Sequence, residues 1–150
     1  MAALITQSLH ELVAEMHAYA DTWLRAQYGV SFKVFEFLAV LTDEPSHDIT
    51  RLAECLGVTK AAVSKRVPRL VSEGWITATP GHGRQIKLHP TEKGAILAER
   101  ARAELERRFR EFLNEPRLDP AQNPDAISPE RFHGHIDALH EVLKEKRAAL

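Results

Sequence analysis

Residues 52–70, LAECLGVTKAAVSKRVPRL, constrain the fold more than any other part of this chain. Two short helices that cross steeply need a small residue at their contact and a residue that tolerates positive φ between them. Ala53 and Gly57 meet these two needs. Thr59 can cap the second helix, and Val63 can pack against the first. Together these spacings predict a helix-turn-helix.

Helical periodicity continues on the N-terminal side of this motif. Apolar residues recur at three- and four-residue steps over residues 5–24, and Gly29 ends the pattern. Ser31 can cap a second helix, which the Asp-Glu-Pro sequence at 43–45 would end. A short helix is expected over residues 50–56. The inner side of the helix that follows it is predicted to consist of Val63, Val67, Leu70 and Val71.

After Gly74 the hydrophobic period changes from helical to alternating. Residues 75–79 are β-branched and aromatic, residues 80–83 (Pro-Gly-His-Gly) have turn chemistry, and residues 85–88 alternate again. We therefore expect a two-stranded hairpin inside a helical protein.

Two further helices are predicted after the hairpin. Thr91 opens a long helix, and residues 114–127, with three of the eight prolines, form an irregular connection. Ser128 and Pro129 are a typical helix start. The apolar side of the last helix is predicted to consist of Phe132, Ile136, Leu139 and Leu143. The fold class is therefore mainly α with a small β-hairpin.

Composition is that of a soluble globular protein. The chain has 150 residues, 44% of them hydrophobic and 27% charged, which excludes widespread disorder. No apolar run approaches the roughly 18 residues of a membrane span, and the first residues lack the basic and apolar regions of a secretory signal. The single cysteine, Cys55, excludes an internal disulfide. We expect a cytoplasmic protein that does not bind membranes.

Positive charge is concentrated in the middle of the chain. Residues 60–93 contain seven lysines and arginines against two glutamates, whereas the formal net charge of the whole chain is −1. A basic segment in an otherwise acidic protein is typical of a surface that binds a polyanion. The alternative is an ordinary solvated helix face, which would contain the same number of lysines and arginines.

The order of elements and the sequence of residues 49–94 resemble the MarR family of bacterial transcriptional regulators. The similar stretch begins ITRLAECLGVTKAAVSKRVPRLVSEGWI and ends LHPTEKG. The resemblance covers essentially the whole chain. It implies a homodimer with two winged helix-turn-helix lobes on a pseudo-palindromic operator in double-stranded DNA. The resemblance also implies that the protein usually represses transcription. It often implies a small-molecule pocket between the dimer and DNA-binding parts.

This resemblance divides the chain, as one MarR-like domain, into functional parts. Residues 1–28 and 115–150 would form dimerisation helices, residues 31–94 the winged DNA-binding lobe, and residues 92–113 a long connecting helix.

Candidate DNA contacts lie on the second helix of the motif and on the hairpin. A helix can enter the major groove, and an arginine on a narrow loop can enter the minor groove. The predicted contacts are Thr59, Lys60, Ala61, Ser64, Lys65, Arg66, Arg69 and Arg84. The lysines would bind phosphate or guanine, and the small residues would permit close approach. Arg69 has an alternative partner in Glu73, four residues later.

Two residues depart from the pattern of the family. His82 lies two residues before the wing arginine, where family members commonly carry aspartate. The hydrogen bond that braces the wing is therefore expected to be absent or pH-dependent. Pro68 lies inside the second helix of the motif, where it removes the backbone hydrogen bond to Ser64 and predicts a local kink.

Other residue types suggest metal, redox or small-molecule sites. The chain has eight histidines, but no compact ligand set, so no metal or other cofactor is expected. Cys55 is expected to be a small buried hydrophobe. Candidates for a pocket that binds an aromatic effector are Tyr19, Trp23, Tyr28 and Phe35. Aromatic residues at helical spacing more often form core or a dimer interface.

The sequence leads to one main functional hypothesis and one alternative. The main hypothesis is a homodimeric, sequence-specific DNA-binding repressor that a small-molecule effector releases by population shift. The alternative is a winged-helix module that binds protein and not DNA. Lys60, Lys65 and Arg84 argue against it, because such a module needs no basic face. The sequence contains no nucleophile–base arrangement or phosphate-binding glycine loop, so we do not expect an enzyme.

Overall fold

A computed structural model, which describes residues 4–44 and 47–150, confirms the predicted fold class of helices around one antiparallel hairpin. The elements are α1 (Ile5–Tyr28), α2 (Phe32–Asp43), α3 (Ile49–Leu56), α4 (Lys60–Ser72), β1 (Ile76–Pro80), β2 (Ile86–Pro90), α5 (Glu92–Leu113), a 3₁₀ turn (Pro116–Leu118) and α6 (Pro129–Ala148). The proline predicted to end α2, Pro45, lies outside the described residues. Within the described part of the chain, no helix is both long and apolar enough to cross a bilayer.

Helix ends lie where the capping residues predict them. The side chains of Ser31, Thr59 and Ser128 each accept a hydrogen bond from the backbone N–H three residues later. Each of these bonds satisfies a donor that the first helical turn leaves unpaired. Gly29 and Gly57 end α1 and α3 in the left-handed region, with φ of 67° and 64°, which glycine adopts without steric cost.

The chain forms two compact units, Met1–Ala103 and Glu104–Leu150. In the first unit, buried side chains from α1 to α4 and from both strands form one core. The largest are Leu24, Phe37, Leu38, Leu41, Leu52, Val63, Ile76 and Leu88. Hydrophobic burial therefore holds the helix-turn-helix and the hairpin together.

Fewer residues of α4 face the core than its sequence predicts. Val63 and Leu70 are buried and Val67 is half-buried, as expected. Val71 was predicted to face the core but is 41% exposed. The reason is that Val71 follows Leu70 directly, and successive helical residues are separated by about 100°.

α1 and α6 keep apolar side chains exposed within a single chain. On α1 these are Leu9, Leu12, Val13, Met16 and Tyr19, and on α6 they are Ile136, Leu139, Val142 and Leu143. α6 has no buried residue along its whole length. Apolar faces of this kind on helices mark surfaces that another element or chain covers.

Backbone contacts around Trp75 lock the start of α5 to the base of the hairpin. The Thr91 N–H donates to the Trp75 carbonyl at 3.0 Å, and the Thr91 hydroxyl donates to the Gly74 carbonyl at 2.7 Å. The same hydroxyl oxygen accepts the Gly94 N–H at 3.1 Å and so caps α5. A Cβ atom at Gly94 would lie 2.2 Å from the Trp75 carbonyl oxygen and 3.2 Å from Leu38. This close approach requires glycine at position 94.

We expect Gly94→Ala to lower the free energy of unfolding by about 2 kcal/mol, because the added methyl group overlaps a backbone atom that cannot rotate away. Urea denaturation measures this change. The matched control is Gly134→Ala in α6, where an added Cβ meets no atom within 4 Å. The control should gain up to about 1 kcal/mol from helix propensity. Equal effects of the two substitutions would contradict the steric explanation.

Candidate nucleic-acid interface

α3 and α4 meet at the tight turn that the sequence predicts. The Val58 N–H donates to the Ala53 carbonyl at 3.0 Å, and the Gly57 N–H donates to the Glu54 carbonyl at 3.2 Å. Ala53 is only 4% exposed and Val63 is fully buried. Ala53, the small residue that the motif needs, is thus buried where the helices pack. The arrangement is a helix-turn-helix.

The exposed side of α4 carries most of the predicted DNA contacts. At about 100° per residue, Ala61, Lys65 and Ser72 project opposite the buried Val63 and Leu70. The exposed predicted residues on or next to α4 are Thr59, Lys60, Ala61, Ser64, Lys65 and Arg69. Arg66 is half-buried at the edge of this side. The structure therefore brings six of the seven helical candidates together on the solvent side of one helix.

The cations on this surface differ in their partners. In residues 4–44 and 47–150, no carboxylate lies within ion-pair distance of Lys60, Lys65 or Arg84. In contrast, Arg69 Nε donates to Glu73 Oε1 at 2.7 Å. The alternative considered for Arg69 is therefore the contact that the structure contains.

Glu73 joins the end of α4 to the base of the hairpin. Its second carboxylate oxygen accepts a hydrogen bond from Trp75 Nε1 at 3.2 Å. Its backbone carbonyl accepts one from Lys93 Nζ at 3.0 Å, and Lys93 Nζ also lies 3.9 Å from the centroid of the Trp75 ring. The hydrogen bond from Arg69 lowers the pKa of the Glu73 carboxyl and raises that of Arg69, so both groups are ionised at neutral pH.

α4 runs without a break through Pro68. Because proline has no N–H, the Ser64 carbonyl lacks the donor that the helix would otherwise supply. Pro68 is exposed, so its ring lies on the solvent side of the helix. Pro68 does not end α4, and the kink predicted near it stays a prediction.

The hairpin is closed by a short loop. Pairing of Pro80 with Ile86 leaves five residues between the strands. The Gly81 N–H donates to the Gln85 carbonyl at 2.7 Å, and the Gln85 N–H donates to the His82 carbonyl at 3.1 Å. These backbone bonds define the narrow turn that the sequence predicts for a wing.

Arg84 is exposed in this loop, directly after Gly83, which has a φ of 64°. The His82 side chain is exposed as well, and it is the His82 carbonyl that closes the turn. The pH-dependent bracing considered for His82 stays a prediction.

A buried histidine that the sequence pattern did not predict ties the wing to the α2–α3 connection. His47 is 7% exposed, and its carbonyl accepts the Leu88 N–H at 3.1 Å. Asp48 pairs with Lys87 as an isolated bridge. His47 Nε2 lies 2.5 Å from Glu44 Oε2. The backbone of the second strand is therefore held on both of its sides.

Cys55 is exposed, contrary to its predicted role as a buried hydrophobe. The reason lies in the short helix α3, whose buried side is taken by Leu52 and Ala53. Among the residues that the structure describes, no group of three or more His, Cys, Asp or Glu side chains could hold a metal ion.

The aromatic candidates for an effector pocket lie on α1 and α2 and differ in their exposure. Trp23 and Tyr28 contact each other edge to face, with ring centroids 5.6 Å apart. Phe35 is 8% exposed and belongs to the core, whereas Tyr19 is 39% exposed. Their role in binding an effector stays a prediction.

Comparisons with known proteins agree with this arrangement. A family model described as MarR family matches residues 28–85, and no curated protein sequence matches the chain. Among solved structures, Streptococcus pneumoniae FabT in complex with DNA aligns with a TM-score of 0.73 at 16% identity, covering 97% of each chain.

Two further structures have the same fold. The Staphylococcus aureus MepR–DNA complex aligns with a TM-score of 0.75 at 16% identity, covering 96% of this chain and 98% of MepR. A MarR/EmrR family transcriptional regulator from an Acinetobacter species aligns with a TM-score of 0.73 at 22% identity, covering 97% of this chain and 95% of the other. Residues 28–85 are thus similar to the MarR family, and the chain as a whole has the winged-helix fold of these three solved structures.

Proposed function

We propose that this protein is a homodimeric, sequence-specific DNA-binding regulator that represses transcription. The observation that carries the proposal is the set of exposed cations on a winged helix-turn-helix. Lys60, Lys65 and Arg84 have no carboxylate partner in the described residues, so DNA phosphates or bases can become their partners. FabT and MepR, which have the same fold, were solved in complex with DNA.

The elements of the lobe suit different grooves of the duplex. The solvent side of α4 has small residues, Ala61 and Ser64, beside Lys60 and Lys65, so the helix can approach base edges closely in the major groove. Arg84 on the five-residue loop would insert into the minor groove. Arg66 is half-buried and can reach phosphates at most. Arg69 is paired with Glu73, which competes with phosphate for its guanidinium.

A second copy of the chain is the proposed cover for the apolar faces of α1 and α6. Exposed leucines, valines and isoleucines recur along both helices, and two-fold pairing buries the same face on both copies. A two-fold dimer would present two α4 helices to half-sites about one helical turn apart.

We also propose that a small aromatic effector lowers the affinity for DNA. Trp23 and Tyr28 form an aromatic pair beside the partly exposed Tyr19 on α1. An effector that binds better to a lobe spacing unsuited to the operator shifts the population away from the DNA-binding form.

Selection of bound duplexes from a random pool, followed by affinity measurements at several salt concentrations, tests DNA binding. With about six phosphate contacts, affinity should fall roughly a thousandfold between low and physiological salt. The Lys60→Ala, Lys65→Ala, Arg84→Ala triple variant should bind weakly, with a log–log salt slope shallower by about 0.9 per lost phosphate contact. Lys33→Ala, an exposed lysine on α2, is the matched control. Unchanged binding of the triple variant would instead favour a protein-binding module.

Sedimentation at micromolar concentration tests the dimer. The wild-type chain should sediment as a dimer. Leu139→Glu combined with Leu143→Glu should shift it to monomer, because charge on the apolar face of α6 opposes its burial. Lys146→Glu, on an exposed position of the same helix, is the control for charge alone. A monomeric wild-type chain would contradict the proposal.

Titration with a small phenolic acid tests the effector site. The acid should weaken operator binding by the wild-type protein, and Tyr19→Ala should raise the concentration needed for half of the effect by about tenfold or less, as for loss of one aromatic contact. Tyr19 is 39% exposed, so its removal should leave the core intact. An identical response of wild type and variant would show that Tyr19 does not contribute to the effector site.

A further inference from the structure

Glu73 is an acidic residue within the basic segment of the chain, residues 60–93. It is one of two glutamates between residues 60 and 93, a segment with seven lysines and arginines. It caps the C-terminal end of α4, the helix that carries most of the predicted DNA contacts. A carboxylate at this place opposes the approach of a polyanion, so its presence in a DNA-binding surface needs an explanation.

The contact with Glu73 holds the Arg69 side chain toward the C-terminal end of α4, away from Lys60 and Lys65. Side chains on a helix normally lean toward its N-terminus. Arg69 instead donates its Nε–H to a residue one turn toward the C-terminus, at 2.7 Å. The guanidinium is thus drawn away from Lys65, which lies one turn before it. Burial does not impose this position, because the Arg69 side chain is 83% exposed.

The wing base holds the Glu73 carboxylate in place. Its other oxygen accepts the Trp75 indole N–H at 3.2 Å, and Trp75 is only 8% exposed. Lys93 bonds the Glu73 carbonyl and covers the Trp75 ring. The acceptor for Arg69 is therefore fixed to the wing base through a buried side chain, unlike that of an ordinary surface glutamate.

We propose that Glu73 restrains DNA binding by keeping Arg69 in an ion pair and away from DNA phosphates. This inference rests on the proposed function. Phosphate contacts supply essentially all of the sequence-independent affinity for DNA. Withholding one cation from the phosphates therefore lowers binding to non-operator duplex, while Lys60, Lys65 and Arg84 remain available at the operator. Glu73 acts through Arg69 and is a positioning residue.

A thermodynamic cycle of Glu73→Gln, Arg69→Ala and the double variant tests the proposal with a non-operator duplex. Glutamine retains an acceptor for the Trp75 indole but removes the charge that holds Arg69. Glu73→Gln should tighten binding several-fold at low salt and steepen the log–log salt slope by about 0.9, the value for one added phosphate contact. Arg69→Ala alone should change little, and the double variant should lose the gain.

Glu92→Gln is the matched control for net charge. Glu92 is the other glutamate of the basic segment and is exposed in the first turn of α5. Its substitution should leave the salt slope unchanged. An equal effect of Glu73→Gln and Glu92→Gln, or a gain that persists without Arg69, would overturn the inference.

The same measurements separate failure of this inference from failure of the proposed function. If wild-type protein binds DNA and the Lys60, Lys65, Arg84 triple variant does not, an unaltered salt slope in Glu73→Gln rejects only the restraint by Glu73. If neither wild type nor Glu73→Gln binds any duplex, the proposed function fails, and the restraint fails with it.

Discussion

The contact between the Trp75 carbonyl and the first turn of α5 sets the arrangement of the winged helix-turn-helix. The entire hairpin lies between Trp75 and Thr91, so the hydrogen bond from Thr91 to Trp75 closes the hairpin at its base. Gly94 permits the helix to lie against the same carbonyl. The end of α4, the hairpin and α5 therefore meet at one backbone group, and a side chain at position 94 would separate them.

The two ends of α4 have different electrostatic surroundings. At the N-terminal end, Lys60 adds to the partial positive charge of the helix dipole. Lys65 follows in the next turn, and no carboxylate in the described residues pairs with either lysine. At the C-terminal end, Arg69 is paired with Glu73, which is itself bonded to Trp75. Lys60 and Lys65, in the N-terminal half of α4, are thus available to an anion. Arg69, near the C-terminal end, is held by Glu73.

The wing is held by contacts that are distant along the chain. His47 and Asp48 precede α3, yet the His47 carbonyl accepts the Leu88 N–H of β2 and Asp48 lies opposite Lys87 in an isolated bridge. Nothing in the residue pattern around His47 predicts this, because the burial of a loop residue depends on the path of the loop over the core. Asp48 did carry a readable signal, since aspartate before a helix is a common cap and Asp48 caps α3.

Local physical chemistry allowed the sequence by itself to determine the elements and their order. Capping hydroxyls, positive-φ glycines and the change from helical to alternating period act over three to five residues, and they located each helix and the hairpin. Only the tertiary structure decided that Val71 and Cys55 are exposed and that His47 is buried. It also selected, for Arg69, the Glu73 partner that the sequence had offered as an alternative. Burial and pairing depend on which side of an element the core and its neighbours occupy, and no local pattern of residues specifies that side.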